Sequence, residues 1–212
     1  MSTYQYILLD WDGNLARTLD IWLEACRVAL EEQGVFKSDE EIGASFGQFT
    51  KYMKDWGVKD IQATIECADR VAQRQLPDVE LYPDALEVLE ALRDQNKKLA
   101  LITTSPRENV QPLLERHGLT RTFDAVITAE DTINHKPHPE PLELALKLLG
   151  GNTNEAVMIG DSDKDLGAAK NAGVDSVLFY PSEHQKFYNL DTLRQLEPTF
   201  VIEDFREILN IV

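Results

Sequence analysis

The chain has 212 residues, 43% hydrophobic and 27% charged, with a formal net charge of −16. That composition supplies a sizeable core, and the length suits one large domain or a core with a smaller companion. The acidic balance argues against nucleic acid as a partner, because phosphate backbones are held by clustered Lys and Arg, and against anionic membrane surfaces for the same reason.

The N-terminal MSTYQYILLD lacks the basic segment and long apolar run of a signal peptide. No apolar run approaches the ~18–20 residues that span a bilayer. Both features lead to the expectation of a cytoplasmic protein. Residues 4–10 form the first strand pattern, short and nearly continuously apolar, ending in Asp10 and Asp12. Helical patterns follow at 18–33, where Ile21, Ala25, Val28 and Ala29 recur on one side, and at 40–56 and 60–74. Cys26 and Cys67 fall within these patterns without metal-type spacing, and buried thiols are the simpler reading for them.

From residue 83 the pattern alternates. A helix at 83–95 precedes a strand at 98–103, a helix at 107–117, a strand at 124–128 and a helix at 139–149. A strand at 156–160, a helix at 164–172 and a strand at 176–180 come next, and a short strand at 199–202 and a helix at 205–209 close the chain. Near-continuous apolar strands alternating with helices predict a parallel sheet buried on both faces. One connection is abnormal. Residues 11–82 separate the first strand from the helix at 83–95, whereas a βα loop usually takes ~2–6 residues. The stretch has helical periodicity, so residues 17–79 are expected to form a helical subdomain inserted into a core of 1–16 and 80–212.

Ligands of open parallel sheets bind at the carboxyl ends of the strands. The first strand ends in Asp10 and Asp12, the second in Thr103, Thr104 and Ser105, and the loop after the third carries Lys136. The fourth ends in GDSDKD, with Asp161, Asp163 and Asp165. Two carboxylates ~4 Å apart repel by about 4 kcal/mol at an effective dielectric of 20, so such a cluster calls for a cation. Oxygen ligands without His or Cys point to a hard ion, Mg²⁺, which keeps waters and shares its sites with substrate phosphate. The spacing of the three aspartates mimics the start of an EF-hand loop, but Leu166 and Ala172 occupy the positions where that loop needs Gly and Glu.

The ordered set of motifs resembles the haloacid dehalogenase (HAD) superfamily over nearly the whole chain. Its motifs match DWDGNL at 10–15, LALITT ending near Thr103, KPHPEP beginning at Lys136, and GDSDKDLGAAKNAG at 160–173. The helical insertion resembles the cap of the phosphoglycolate-phosphatase-like branch. The resemblance implies an α/β fold, with a Rossmann-like parallel sheet core and an inserted α-helical cap domain. It also implies a Mg²⁺-dependent phosphatase acting on a small phosphate ester. Asp10 would be the nucleophile, forming an aspartyl-phosphate, and Asp12 the general acid and then base. Asp10, the Asp12 main-chain carbonyl, Asp161 and, through water or from behind, Asp165 would hold the metal. Thr103 and the N–H groups after it, including that of Thr104, would hold phosphate oxygens, and Lys136 would bridge nucleophile and phosphate.

Local structure offers competing readings for several positions. Ser105-Pro106-Arg107-Glu108 reads as a capping box, which makes Ser105 a helix cap. Asp163 is expected to face solvent or cap its helix. Trp11 is either a wall of the site or core packing. Phe46, Gly47 and Gln48 lie where related caps touch substrate, with plain packing as the alternative. Asn14 stands where the family usually has Thr; a Thr hydroxyl can orient the neighbouring catalytic Asp, and an Asn amide can also hydrogen-bond a carboxylate. Two other activities compete: a phosphomutase of the β-phosphoglucomutase type, and a non-hydrolytic phosphate-responsive module like a response-regulator receiver. Receivers share the acidic residues, the hydroxyl and the lysine, but they are shorter and lack the insertion. A dehalogenase is disfavoured by Asp12, because family dehalogenases lack the second aspartate.

Overall fold

The computed structural model describes residues 4–46 and 48–212. Gly47, one of the expected cap contacts, lies outside the described residues. Six parallel strands run in the order β3-β2-β1-β4-β5-β6. They are β1 Tyr6–Leu9, β2 Lys98–Ile102, β3 Ala125–Ile127, β4 Ala156–Gly160, β5 Asp175–Phe179 and β6 Phe200–Ile202. In the central strand, Ile7, Leu8 and Leu9 are all fully buried. Alternate residues feed opposite faces: Ile7 and Leu9 join one apolar cluster and Leu8 the other. Burial of such side chains stabilises by roughly 1.5–3 kcal/mol each, so the register of β1 is firmly set. The α/β class and parallel sheet expected from the sequence are thus found.

Among the described residues the insertion contains four helices: α1 Leu19–Glu32, α2 Asp39–Gly43, α3 Phe49–Asp55 and α4 Ile61–Ala72. The expected single helix at 40–56 is two helices. Ser38 opens α2 with a reciprocal capping box to Glu41, and the Ser45 hydroxyl donates to Ile42 O at 2.6 Å. That back-bond competes with the helix ladder and helps to end it, a local effect that periodicity does not register. Helix α1 packs along α4 through Ala25, Ala29, Ala68 and Ala72, whose small side chains permit a close approach. Cys26 and Cys67 are both buried free thiols.

The remaining helices are α5 Ala85–Asp94, α6 Arg107–Arg116, α7 Glu140–Leu149, α8 Asp163–Ala172, α9 Leu190–Arg194 and α10 Ile208–Ile211. The expected last helix begins as a 3-10 turn, Phe205–Glu207, before α10. Among the described residues no helix is long and apolar enough to cross a membrane.

A 3-10 turn after β5, Ser182–Lys186, connects the sheet to the inserted helices. Arg17 pairs with Glu183 through two hydrogen bonds of 3.3 and 3.2 Å, and Lys186 pairs with Asp20. Phe187 stacks on Phe46 with ring centroids 5.5 Å apart. The ion pairs are exposed and worth at most about 1 kcal/mol each, so the apolar contacts carry most of this seam. The turn is anchored by His184, which is fully buried, with Nε2 2.7 Å from the Tyr82 hydroxyl.

Burial pushes the His184 imidazole down from 6.5 to about 3. The unfolded chain therefore takes up a proton near pH 6.5 that the folded chain refuses until about pH 3, and stability falls as pH drops through that window. Between pH 6.5 and 5, His184→Gln should lessen the loss of unfolding free energy by about 2 kcal/mol relative to the wild type. Urea unfolding of both proteins at the two pH values checks this; parallel losses would remove His184 from the pH response.

Candidate active site

The chain leaves β1 at Asp10, whose amide still donates to Ile159 O at 3.0 Å. It then turns so tightly that the amides of Asn14, Leu15 and Ala16 all converge on Trp11 O, at 3.3, 3.1 and 2.9 Å. Gly13 adopts φ +72°, and a Cβ there would collide with the Asp161 carboxylate. Glycine is thus required twice, for the left-handed backbone and for the approach of Asp161. Trp11 is 1% exposed and belongs to the core, so it is packing and not a wall of the site.

The turn sends the two aspartates to different surroundings. Asp10 is buried beside Lys136, Asp161 and Asp165. Lys136, from the loop after β3, donates to Asp10 Oδ1 at 2.6 Å, to Asp165 Oδ1 at 2.6 Å and to Ile102 O at 2.9 Å. Those three bonds use every proton of the ammonium. Asp165 also closes the capping box of α8 from the third helical position: its Oδ2 accepts from the Ser162 amide at 3.2 Å and the Ser162 hydroxyl at 2.6 Å. The helix cap is therefore Ser162, and Asp163, expected to cap or face solvent, is a half-buried first residue of α8. Gly160 is the second glycine the site depends on, since a Cβ there would overlap the Asp165 side chain.

Burial raises the Asp10 carboxyl to about 7; Asp165 adds to the rise and Lys136 opposes it. Asp161 is held well above the ordinary carboxyl range by burial, then by Asp165 and Asp10, with the neighbouring Tyr188 phenol pulling the other way. Burial alone would lower the Lys136 ammonium, but Asp10 and Asp165 outweigh it and hold it above its usual value. Carboxylate oxygens of Asp10, Asp161 and Asp165 lie within 4.8 Å of one another, and Asp161 Oδ2 is buried without a hydrogen-bond partner. An all-oxygen donor set with an orphaned, desolvated carboxylate oxygen fits a hard divalent cation.

Asp12 stands apart from this cluster. Its Oδ2 accepts from the Ser105 hydroxyl at 2.7 Å and the Thr103 hydroxyl at 3.4 Å, and its Oδ1 accepts from Trp22 Nε1 at 3.2 Å. Thr103 Oγ1 in turn accepts from the Ser105 amide at 3.0 Å. The turn's hydrogen bonds run to Trp11 O and Ala16 O, so the Asp12 main-chain carbonyl stays available to a ligand. Thr104 is exposed at the end of β2.

Two expectations require correction. Ser105 does not cap α6: the cap position is Pro106, without a side-chain bond, and the Ser105 hydroxyl is spent on Asp12. Asn14 does not bind a carboxylate; it is fully buried and its Nδ2 donates to the Asp10 main-chain oxygen at 3.0 Å. Trp22 and Tyr188, which no sequence motif marks, also reach the site, Trp22 at Asp12 and Tyr188 at Asp161. A cleft of about 480 Å³ between the inserted helices and the core is lined by Phe46, Gln48 and Tyr52 on one side and Asp163, Tyr188 and Asn189 on the other.

Residues 7–179 match the haloacid dehalogenase-like hydrolase family. The chain belongs to that family. This hydrolase is 31% identical over 212 residues to pyrophosphatase PpaX of Halalkalibacterium halodurans, covering 97% of this chain and 95% of the relative. It is 30% identical over 217 residues to pyrophosphatase PpaX of Bacillus pumilus, covering 100% and 97%. Its structure superposes with a TM-score of 0.84 on a crystal structure described as a predicted phosphoglycolate phosphatase from Haemophilus somnus, at 25% identity and with 100% and 99% of the two chains covered.

A cation that binds the folded hydrolase alone should stabilise it. Mg²⁺ at a hundred times its dissociation constant should raise the unfolding free energy by about 2.7 kcal/mol, and Asp161→Asn should remove most of that gain. Denaturant titrations with and without the ion decide it; an undiminished gain in the variant would take Asp161 out of the ligand set.

Proposed function

We propose that this hydrolase is a Mg²⁺-dependent phosphatase of small phosphorylated compounds, working through an aspartyl-phosphate on Asp10. The observation that carries the reading is the buried contact of Lys136 Nζ with Asp10 Oδ1, at 2.6 Å, beside two further carboxylates. A carboxylate needs no base to become a nucleophile, but it must approach a phosphate against like charge. The ammonium offsets part of that repulsion.

The residues suited to hold the ion are Asp10, the Asp12 main-chain carbonyl and Asp161, with Asp165 behind them. The ion, when bound, supplies positive charge against the phosphate oxygens. In the first step an Asp10 oxygen bonds to phosphorus while the bond to the leaving oxygen breaks, and Asp12 gives that oxygen its proton. In the second, water attacks the phosphorus of the aspartyl-phosphate, Asp12 takes the water's proton, phosphate departs and Asp10 is regenerated. Thr103 and the Thr104 N–H are suited to the phosphate oxygens. Lys136 has no spare proton in this state, so it would help to hold a phosphate only by releasing one of its present acceptors.

We assign residues 17–79 as a cap over the core formed by 1–16 and 80–212. A cap seated over this edge of the sheet would shield the chemistry from bulk water. The relatives named pyrophosphatase make inorganic pyrophosphate the first substrate to assay.

Purified protein with Mg²⁺ should release phosphate from para-nitrophenyl phosphate, and EDTA should stop it. Asp10→Asn should lower turnover about a thousandfold or more, roughly 4 kcal/mol of barrier. Full activity in that variant would end the nucleophile assignment.

A further inference from the structure

The Asp12 carboxylate accepts hydrogen bonds from two sides of the molecule. Its Oδ2 is held by hydroxyls from the end of β2, Ser105 at 2.7 Å and Thr103 at 3.4 Å. Its Oδ1 is held by the indole N–H of Trp22, at 3.2 Å, from the first turn of α1 in the inserted helices. The Trp22 ring packs on the small-residue seam between α1 and α4. Its position therefore follows the seating of those helices and not that of the sheet.

The donors differ in one chemical respect. A hydroxyl donates or accepts according to its rotation, whereas an indole N–H only donates. Ser105 and Thr103 can therefore turn away from Oδ2, whereas the Trp22 N–H can only hold Oδ1, so the indole is the fixed reference for the orientation of the carboxyl. From this asymmetry we infer that Trp22 is a positioning residue for the general acid. It fixes the orientation of the Asp12 carboxyl, and it does so only while α1 is seated over the core. The inference rests on the phosphatase reading above. Trp22 touches neither phosphate nor leaving group; it acts through Asp12.

A leaving group that departs readily needs little help from an acid, and a poor one needs it fully. Phenyl phosphate and para-nitrophenyl phosphate share a shape and differ in this respect. In Trp22→Phe, kcat/KM, which reports the steps up to leaving-group departure, should fall about tenfold for phenyl phosphate, equal to about 1.4 kcal/mol. For para-nitrophenyl phosphate it should fall by less than about threefold. A purely structural role would lower both alike. The contact has its own test that does not depend on turnover. The chain has three tryptophans, so a ¹⁵N correlation spectrum shows three indole signals, and the one lost in Trp22→Phe is assigned to Trp22. In Asp12→Ala that signal should move while that of Trp56 stays. Equal losses on the two esters, or a Trp22 signal unmoved by Asp12→Ala, would overturn the inference in an active enzyme. A wild-type protein that hydrolyses neither ester would instead overturn the phosphatase reading, and the inference with it.

Discussion

A single buried ammonium organises this molecule's functional edge. Lys136 has three acceptors, one each from the end of β1, the end of β2 and the first turn of α8. The loop after β3 is thereby tied to three other elements. Removing one partner of a buried ion pair typically costs about 3–5 kcal/mol, because the other charge is left uncompensated. The ammonium does not balance the site completely. Asp10, Asp161 and Asp165 converge on it, so three carboxylates face one lysine and two negative charges remain if all are ionised. Protonation is one way to relieve that excess, and the raised Asp10 and Asp161 carboxyls show the pressure toward it. A divalent cation relieves the same excess with the carboxylates ionised, as the proposed nucleophile must be.

The features that the sequence revealed are those set by local pattern. Strands β1 and β4 are continuous apolar runs because both faces of the sheet are covered, and each ends where the sequence places a carboxylate. The residues of the acidic cluster and Lys136 could be picked out because each lies after a strand: Asp10 after β1, Lys136 after β3, Asp161 and Asp165 after β4. What escaped notice depends on partners distant in the chain. Ser105 satisfies the local pattern of a helix cap, but its hydroxyl is taken by Asp12, 93 residues away. Trp22 lies ten residues from Asp12 and on a different element, and in sequence it is one apolar position among several on α1. Tyr188 follows a turn after β5 that carries no motif in the sequence. The break between α2 and α3 was hidden for the opposite reason: one serine back-bond ends a helix without altering the apolar periodicity around it.

Asp10 and Asp12 show how a two-residue spacing acquires two chemical environments. Had the strand continued, their side chains would have pointed to the same face, and at ~7 Å their charges would repel by about 2 kcal/mol at an effective dielectric of 20. The turn at Gly13 separates them. Asp10 enters a cluster of charges, and Asp12 is surrounded by two hydroxyls and an indole, all neutral. The first environment gathers an excess of negative charge that a cation can offset, and the second holds a carboxylate by neutral donors on both of its oxygens. Because the missing Cβ of Gly13 also admits Asp161, the residue that divides the two aspartates makes room for the carboxylate that completes the cluster. Substitution of Gly13 would disturb both environments together, so the separation of roles and the acidic cluster depend on one backbone conformation.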